Sequence, residues 1–325
     1  LKRAASHDAA RPTFREPGLV KIHPVLARAL RMGITLFVVA IAVFFMVRLS
    51  GDPIEIMAGP DADPYFIEQM RERWGLDRPL HEQLIAFIGG IFRGEFGYSL
   101  ATGLPAAQLF LERLPATLWL GFASLLFSVV IGLPLGILAA LNHNSALDRF
   151  VMSMSVLAFS MPNFFLGVLF ILLFSLHLRW LPSFGSGSLA HMVMPVLTLG
   201  LSSAGAIARF ARSCMLDVLN QPYMLAARAR GIRPPRRTFL HALPNASIPL
   251  VTILGMRLGD LIAGAIIVET VFAWPGIGRL LAESVTNRDL AVVQIIVLAT
   301  ATTMVLANLA VDLLYGWLDP RVRQS

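Results

Sequence analysis

At 325 residues the chain is long enough for two soluble domains, yet 56% of it is hydrophobic and 14% charged, where soluble chains carry roughly 25% charged residues. A mean hydropathy of +0.69 belongs to a polytopic membrane protein, in which a net charge of +7 holds loops at the cytoplasmic face and does not signal nucleic acid. The single cysteine, Cys214, excludes an intramolecular disulfide and a cysteine-rich metal site, and reads as a small packing residue. Lysine occurs only at Lys2 and Lys21, so no G-x-x-x-x-G-K-[ST] phosphate loop exists, and ATP-derived energy has to come from a partner chain.

Residues 1–33 are polar and basic; without a small-residue cleavage site after the next apolar run they are expected to be a retained cytoplasmic tail. Span 1 is expected over Ile34–Val47, short against the roughly 20 residues a bilayer core needs, with Arg31 and Arg48 snorkelling to make up the difference. A long polar segment, 50–117, follows. In it Asp63-Pro64 predicts a helix start and Gly75 its stop. From Leu80, the stripe Leu80, Leu84, Phe87, Ile88 and Ile91 predicts an amphipathic helix. That helix either packs on its own protein or the interface, or forms a docking surface for a soluble partner.

Span 2 (Leu118–Leu141) contains Pro134 and is uncharged; span 3 (Phe150–Leu178) contains Met161-Pro162-Asn163, where proline is expected to kink the helix. Span 4 (His191–Ala208) holds Gly200, Ser202, Ser203, Ala204, Gly205 and Ala206, small residues that let helices approach closely. Spans 5 (Ala246–Val268) and 6 (Ala291–Leu314) complete the set, and between them Phe272-Ala273-Trp274-Pro275-Gly276-Ile277-Gly278 predicts an interfacial re-entrant turn. With six spans and an inside amino terminus, cytoplasmic segments hold 17 Lys and Arg against 8 outside. This bias puts both termini and the central loop in the cytoplasm.

That central loop carries the most specific pattern. From Leu225, Ala226-Ala227 is followed after three residues by Gly231, and after nine more by His241-Ala242-Leu243-Pro244. The spacing resembles the EAA loop of binding-protein-dependent ABC importer permeases, with Leu225 in place of its Glu and His241 in place of its Ile. The resemblance extends from span 1 onward and points to the peptide and nickel subfamily. Its carriers are Gly51-Asp52-Pro53, Gly75-Leu76-Asp77-Arg78-Pro79-Leu80, Glu112-Arg113-Leu114-Pro115-Ala116-Thr117 and Ser160-Met161-Pro162-Asn163-Phe164. Further along they are Ser213-Cys214-Met215-Leu216-Asp217-Val218-Leu219, Phe272-Ala273-Trp274-Pro275-Gly276 and Leu318-Asp319-Pro320-Arg321. Pro244 stands where the subfamily more often has a basic residue.

The resemblance implies an all-α polytopic fold of six transmembrane helices with a cytoplasmic coupling loop. Residues 34–325 would form the permease transmembrane domain, with 50–117 extracytoplasmic and 209–245 the coupling loop. It implies a bacterial inner-membrane subunit, not itself an enzyme, with a second related permease, two ATPase subunits and an extracytoplasmic solute-binding protein as partners. It also implies no cofactor on this chain, ATP and Mg being bound by the ATPase subunits. Di- and oligopeptides are the expected substrates, with nickel or a metal chelate as the alternative. The seven histidines lack metal-ligand spacing, which speaks against a bare-metal ligand set. Ala226, Ala227, Arg228, Ala229, Arg230, Gly231, Leu243 and Pro244 are expected to couple to the ATPase, with Ala226, Ala227 and Ala229 as a close-approach face. Arg257 and Asp260, charged, deep in span 5 and one helical turn apart, are expected at the translocation pathway. A membrane enzyme would need an H-E-x-x-H helix or a serine–histidine pairing, neither evident; an ion-coupled carrier would need several intramembrane acids.

Overall fold

The structure, a computed structural model, describes residues 24–49, 54, 63–73, 75–263 and 265–318. The signature residues Gly51-Asp52-Pro53 and Asp319 to Arg323, and the tail up to residue 23, lie outside the described residues. Thirteen helices are described: α1 Pro24–Leu49, α2 Pro64–Arg73, α3 Leu80–Arg93, α4 Ala106–Leu141, α5 Ala146–Ser160 and α6 Asn163–Phe170, continued by a π-helical stretch Ile171–His177. They continue as α7 Leu189–Leu219, α8 Pro222–Ala229, α9 Pro234–Arg237 with a π-helical stretch Thr238–Ala242, α10 Leu243–Ala263, α11 Ile266–Val271, α12 Ile277–Thr286 and α13 Leu290–Leu318. Among the described residues the only extended pairing is one isolated bridge, Tyr98 to Pro105.

Among the described residues four helical stretches are long and apolar enough to cross a membrane: Leu30–Leu49, Ala106–Leu141, Leu189–Leu219 and Leu290–Ala310. Two bent pairs raise the number to six if each counts as one span: Ala146–Ser160 with Asn163–His177, bent by 100°, and Pro234–Ser247 with Pro249–Gly255, bent by 50°. The kink expected at Met161-Pro162 is therefore a full break. Proline cannot donate to the preceding turn, and Met161 adopts an extended backbone (ψ 126°) where the helix stops.

Helix ends differ from the hydropathy reading because a charged residue does not stop a hydrogen-bond ladder. The first helix starts at Pro24, ten residues before Ile34, and needs no extra length. Helix α4 has 36 residues, about 54 Å at 1.5 Å per residue, and so carries Glu112 and Arg113 beyond the apolar stretch. Helix α7 runs on through Arg209 and Arg212 to Leu219.

Local chemistry accounts for the smaller elements. The Asp63 carboxylate accepts from Tyr65 N–H at 2.9 Å, capping α2. Gly75 closes that helix at φ +62°, with Gly75 N–H on Glu72 O and Leu76 N–H on Arg71 O, the Schellman pattern. In α3, Phe87 and Ile91 pack with Ala40 and Val43 of α1 and Leu298 of α13, while Leu80 is exposed. The stripe therefore packs on its own protein in its second half only.

The centre of the bundle is the α4–α7 contact. A Cβ at Gly132 or Gly136 of α4 would overlap the Ala204 and Ala208 carbonyls of α7, and one at Gly205 would overlap the Ser155 carbonyl of α5. The Ser128 hydroxyl lies 2.9 Å from Gly200 O across the same seam. Small residues here bring backbones together, as the span 4 sequence implied.

Candidate functional site

The segment expected to be the coupling loop comprises α8, its glycine turn and α9. Pro222 opens α8 at the position where a missing N–H is harmless. Gly231 ends it at φ +75°: Gly231 N–H bonds Arg228 O at 3.0 Å and Ile232 N–H bonds Ala227 O at 3.2 Å. This is again the Schellman arrangement, which only glycine enters without strain.

One face of α8 is inward. Met224 is 3% and Ala227 8% exposed, and Met224 belongs to one buried cluster with Ala140, Ala211, Cys214, Met215, Ala242, Ala246 and Leu250. Ala227 thus departs from the expected close-approach face: three residues after Met224, it shares the buried side. Ala226, Arg228, Ala229, Arg230 and Gly231 are exposed, Leu243 is half-buried and Pro244 exposed. Cys214 is a buried packing residue of the cluster that supports the loop.

Beneath the loop lies an ion pair the sequence reading did not find. Arg212 donates to Asp148 through Nε at 2.6 Å and Nη2 at 2.7 Å, and Asn144 N–H donates to the same carboxylate at 2.9 Å. Ser145 caps α5 by accepting from Asp148 N–H at 3.2 Å. The clamp fastens the α4–α5 turn to the turn of α7 on which α8 rests.

Arg257 is half-buried on α10; Asp260 follows on the same helix, and its side chain lies outside the described residues. Among the described residues no three His, Cys, Asp or Glu come together in a way that holds a metal ion.

At the other end of α10 the Phe272–Gly278 turn is a tight hairpin between α11 and α12. Its organiser is Glu269, fully buried. Oε1 accepts from the Thr117 hydroxyl at 2.6 Å, and Oε2 accepts from Gly278 N–H at 2.7 Å and Arg279 N–H at 3.2 Å. The carboxylate thereby satisfies orphan donors of the first turn of α12, where the helix dipole favours negative charge. Thr117 Oγ1 also accepts from Ile277 N–H at 2.7 Å, and the Trp274 indole N–H donates to Ala116 O at 3.0 Å. A Cβ at Gly276 would overlap the Glu269 carboxylate, and one at Gly278 the backbone of Ile266. Two of the sequence signatures, Glu112–Thr117 and Phe272–Gly276, are therefore one structure, and Gly167 of α6, three residues beyond the Ser160–Phe164 signature, abuts Phe272.

The model of the binding-protein-dependent transport system inner membrane component matches residues 132–324, and the amino-terminal model of such membrane components matches residues 22–121. The chain belongs to this permease family. It is 42% identical over 300 residues to the glutathione transport system permease protein GsiC of Escherichia coli (strain K12), covering 92% of this chain and 98% of that protein. It is 43% identical over the same length to GsiC of Salmonella typhimurium.

Among solved structures, an inward-facing MetNI methionine ABC transporter chain aligns with a TM-score of 0.56 at 25% identity, covering 65% of this chain and 97% of that one. An amino acid ABC transporter chain aligns with a TM-score of 0.50 at 20% identity, a likeness of fold. The protein is thus a multi-pass inner-membrane ABC importer permease. Permeases of this family work with ATPase and substrate-binding partners, and the hydrolytic activity resides on the partner subunits.

Proposed function

We propose that this permease moves peptide-like solutes, di- or oligopeptides and glutathione-like peptides, into the cell. The support for the substrate class is the 42% identity, over nearly the full length, to a glutathione permease. Six spans with both termini in the cytoplasm accommodate the two bent pairs and the excess of Arg and Lys on the loop side. The complex includes a second related permease, two ATPase subunits that hold ATP and Mg, and an extracytoplasmic binding protein facing 50–117 and the Trp274 hairpin.

The coupling loop is the handle. Its outward side presents Ala226, Arg228, Ala229 and Arg230, small and cationic together, and fits a groove with an acidic rim. Gly231, Leu243 and Pro244 set its angle, and Arg257 with Asp260 border the path in α10. The deciding experiment is ATP-driven uptake by the reconstituted complex, offered glutathione, a dipeptide or a nickel chelate. Uptake of peptides but not of the chelate is expected. Uptake of the chelate alone overturns the substrate assignment, and uptake without ATPase subunits overturns the mechanism.

A further inference from the structure

Resting on the peptide reading above, we infer that Arg209, stacked on Phe159 beside the broken span α5–α6, is a binding residue for the carboxylate of the solute in transit. Arg209 lies on α7, inside a stretch apolar enough to cross the membrane. Its guanidinium carbon sits 4.5 Å from the centroid of the Phe159 ring. Its Nε is buried and has no hydrogen-bond partner among the described residues, and no acid there pairs with it.

The contrast with Arg212, one turn along the same helix, is direct. Arg212 has the two-point pairing with Asp148, and His143 Nδ1 accepts from it at 3.1 Å. A structural arginine in this helix is evidently given an acid. Arg209 is given an aromatic face, which attracts the cation but cannot accept its N–H groups. An ionised side chain in a span without an acceptor is expensive and marks a ligand path.

The position fits a path. Gly205 of α7 touches the Ser155 backbone of α5. Asp148 meets Arg212 and Ser155 meets Gly205, so α5 and α7 run antiparallel. Arg209 and Phe159 stand one turn to either side of the Gly205–Ser155 crossing, and their side chains, each leaning toward its own helix's amino terminus, reach one another across it. Phe159, 49% exposed, is the penultimate residue before the 100° break at Met161-Pro162. The stack occupies one face of the guanidinium and Nε is closed off by burial, which leaves the terminal Nη1 and Nη2 amino groups to meet a planar, two-oxygen acceptor. A peptide with a free carboxy terminus always carries that group; a metal cation would be repelled.

The test uses the full reconstituted transporter at solute concentrations that saturate the binding protein, so that turnover and not capture is read. The probes are a tripeptide with a free C-terminal carboxylate and the same tripeptide as its carboxamide. Wild type is expected to turn over the carboxylate form faster by about tenfold, the equivalent of one charge-assisted pairing. Arg209→Gln brings the ratio near one, Arg209→Lys keeps part of it, and Phe159→Leu lowers it.

An unchanged ratio in Arg209→Gln, an equal loss for both peptides, or no wild-type preference overturns the inference. If Arg209→Gln does not assemble, Arg209→Lys and Phe159→Leu decide, and two unchanged ratios overturn it. Assembly restored by neutralising an acid of the second permease reassigns Arg209 to a subunit contact. A wild-type complex that imports neither peptide removes the peptide reading and this inference together. Import of both with an Arg209-independent ratio removes this inference alone.

Discussion

The hairpin around Glu269 and the loop around Gly231 are both short reversals between helices, and they are built on opposite plans. In the hairpin the polar groups find partners within the chain: Glu269 accepts from Thr117, Gly278 and Arg279, Trp274 donates to Ala116, and Arg279 donates to Ala273 O and Glu283. Its glycines are there because no space exists for a Cβ. In the loop a Cβ at Gly231 would meet nothing within 4 Å, and Arg228, Arg230, Arg233 and Arg236 are exposed with no side-chain hydrogen bond or ion pair among the described residues. Phe239 and Leu240 are exposed beside them. The hairpin is complete in one chain, whereas the proposed coupling loop leaves its outward side to a partner. Changes in the first are thus expected to damage folding, and changes in the second to damage coupling.

The largest effect is expected from Glu269→Ala. It leaves the Thr117 hydroxyl and the Gly278 and Arg279 amides without their acceptor in buried space, at about 1–3 kcal/mol for each group that finds no substitute. The thermal midpoint of the purified complex should fall by several degrees or the complex should not assemble. Glu269→Gln, which retains one acceptor oxygen, should lie between. A wild-type midpoint for Glu269→Ala would show that the hairpin does not depend on this carboxylate.

Gly276→Ala comes next and separates sterics from backbone preference. Gly276 has φ −103°, a value any residue adopts, so the penalty is the overlap of the new methyl with Glu269, about 1–3 kcal/mol for an overpacked site. In a double-mutant cycle the methyl should be tolerated better where Glu269 is already alanine. Strict additivity of the two midpoint shifts would mean that the methyl is resisted elsewhere.

The two regions were legible in the sequence to different degrees, for a physical reason. Gly231 and Gly75 were readable as helix stops, and Asp63 as a cap, because the bonds that define them run two to five residues along the chain. The small residues of α7 announced close packing for the same kind of reason, a repeat on one face. The Glu269 network was not readable: Thr117 lies 152 positions away, and an acid after an apolar span looks like an ordinary span end. The Asp148–Arg212 clamp, 64 positions apart, was hidden likewise. Arg209 escaped notice because hydropathy closed span 4 at Ala208, while the hydrogen-bond ladder continues to Leu219. Ala227 was misplaced because Ala-Ala-x-Ala marks a face only once Met224 shows which side is inward.

A smaller effect on stability is expected from Gly231→Ala. With no neighbour to strike, the methyl meets only the backbone strain of φ +75°, about 1–2 kcal/mol. The permease should still assemble, with the ATP hydrolysed per solute imported rising as α8 changes its angle. An unaltered ratio would mean that the turn serves only to reverse the chain.

The smallest effect on stability, and the sharpest division between the two regions, is expected from Arg228→Gln with Arg230→Gln. Both side chains are exposed and unsupported by the chain itself, and surface substitutions of this kind stay within about 0.5 kcal/mol. The midpoint of the isolated permease should therefore not move. In the complex the same pair loses its attraction to an acidic rim, and exposed charge pairs are screened by salt with a Debye length of roughly 8 Å at physiological ionic strength. Wild-type coupling should weaken as salt is raised, and the double variant should start weak and respond little. If salt affects both alike, the arginines are not the charges that hold the ATPase, and the loop grips through its exposed alanines and apolar residues instead.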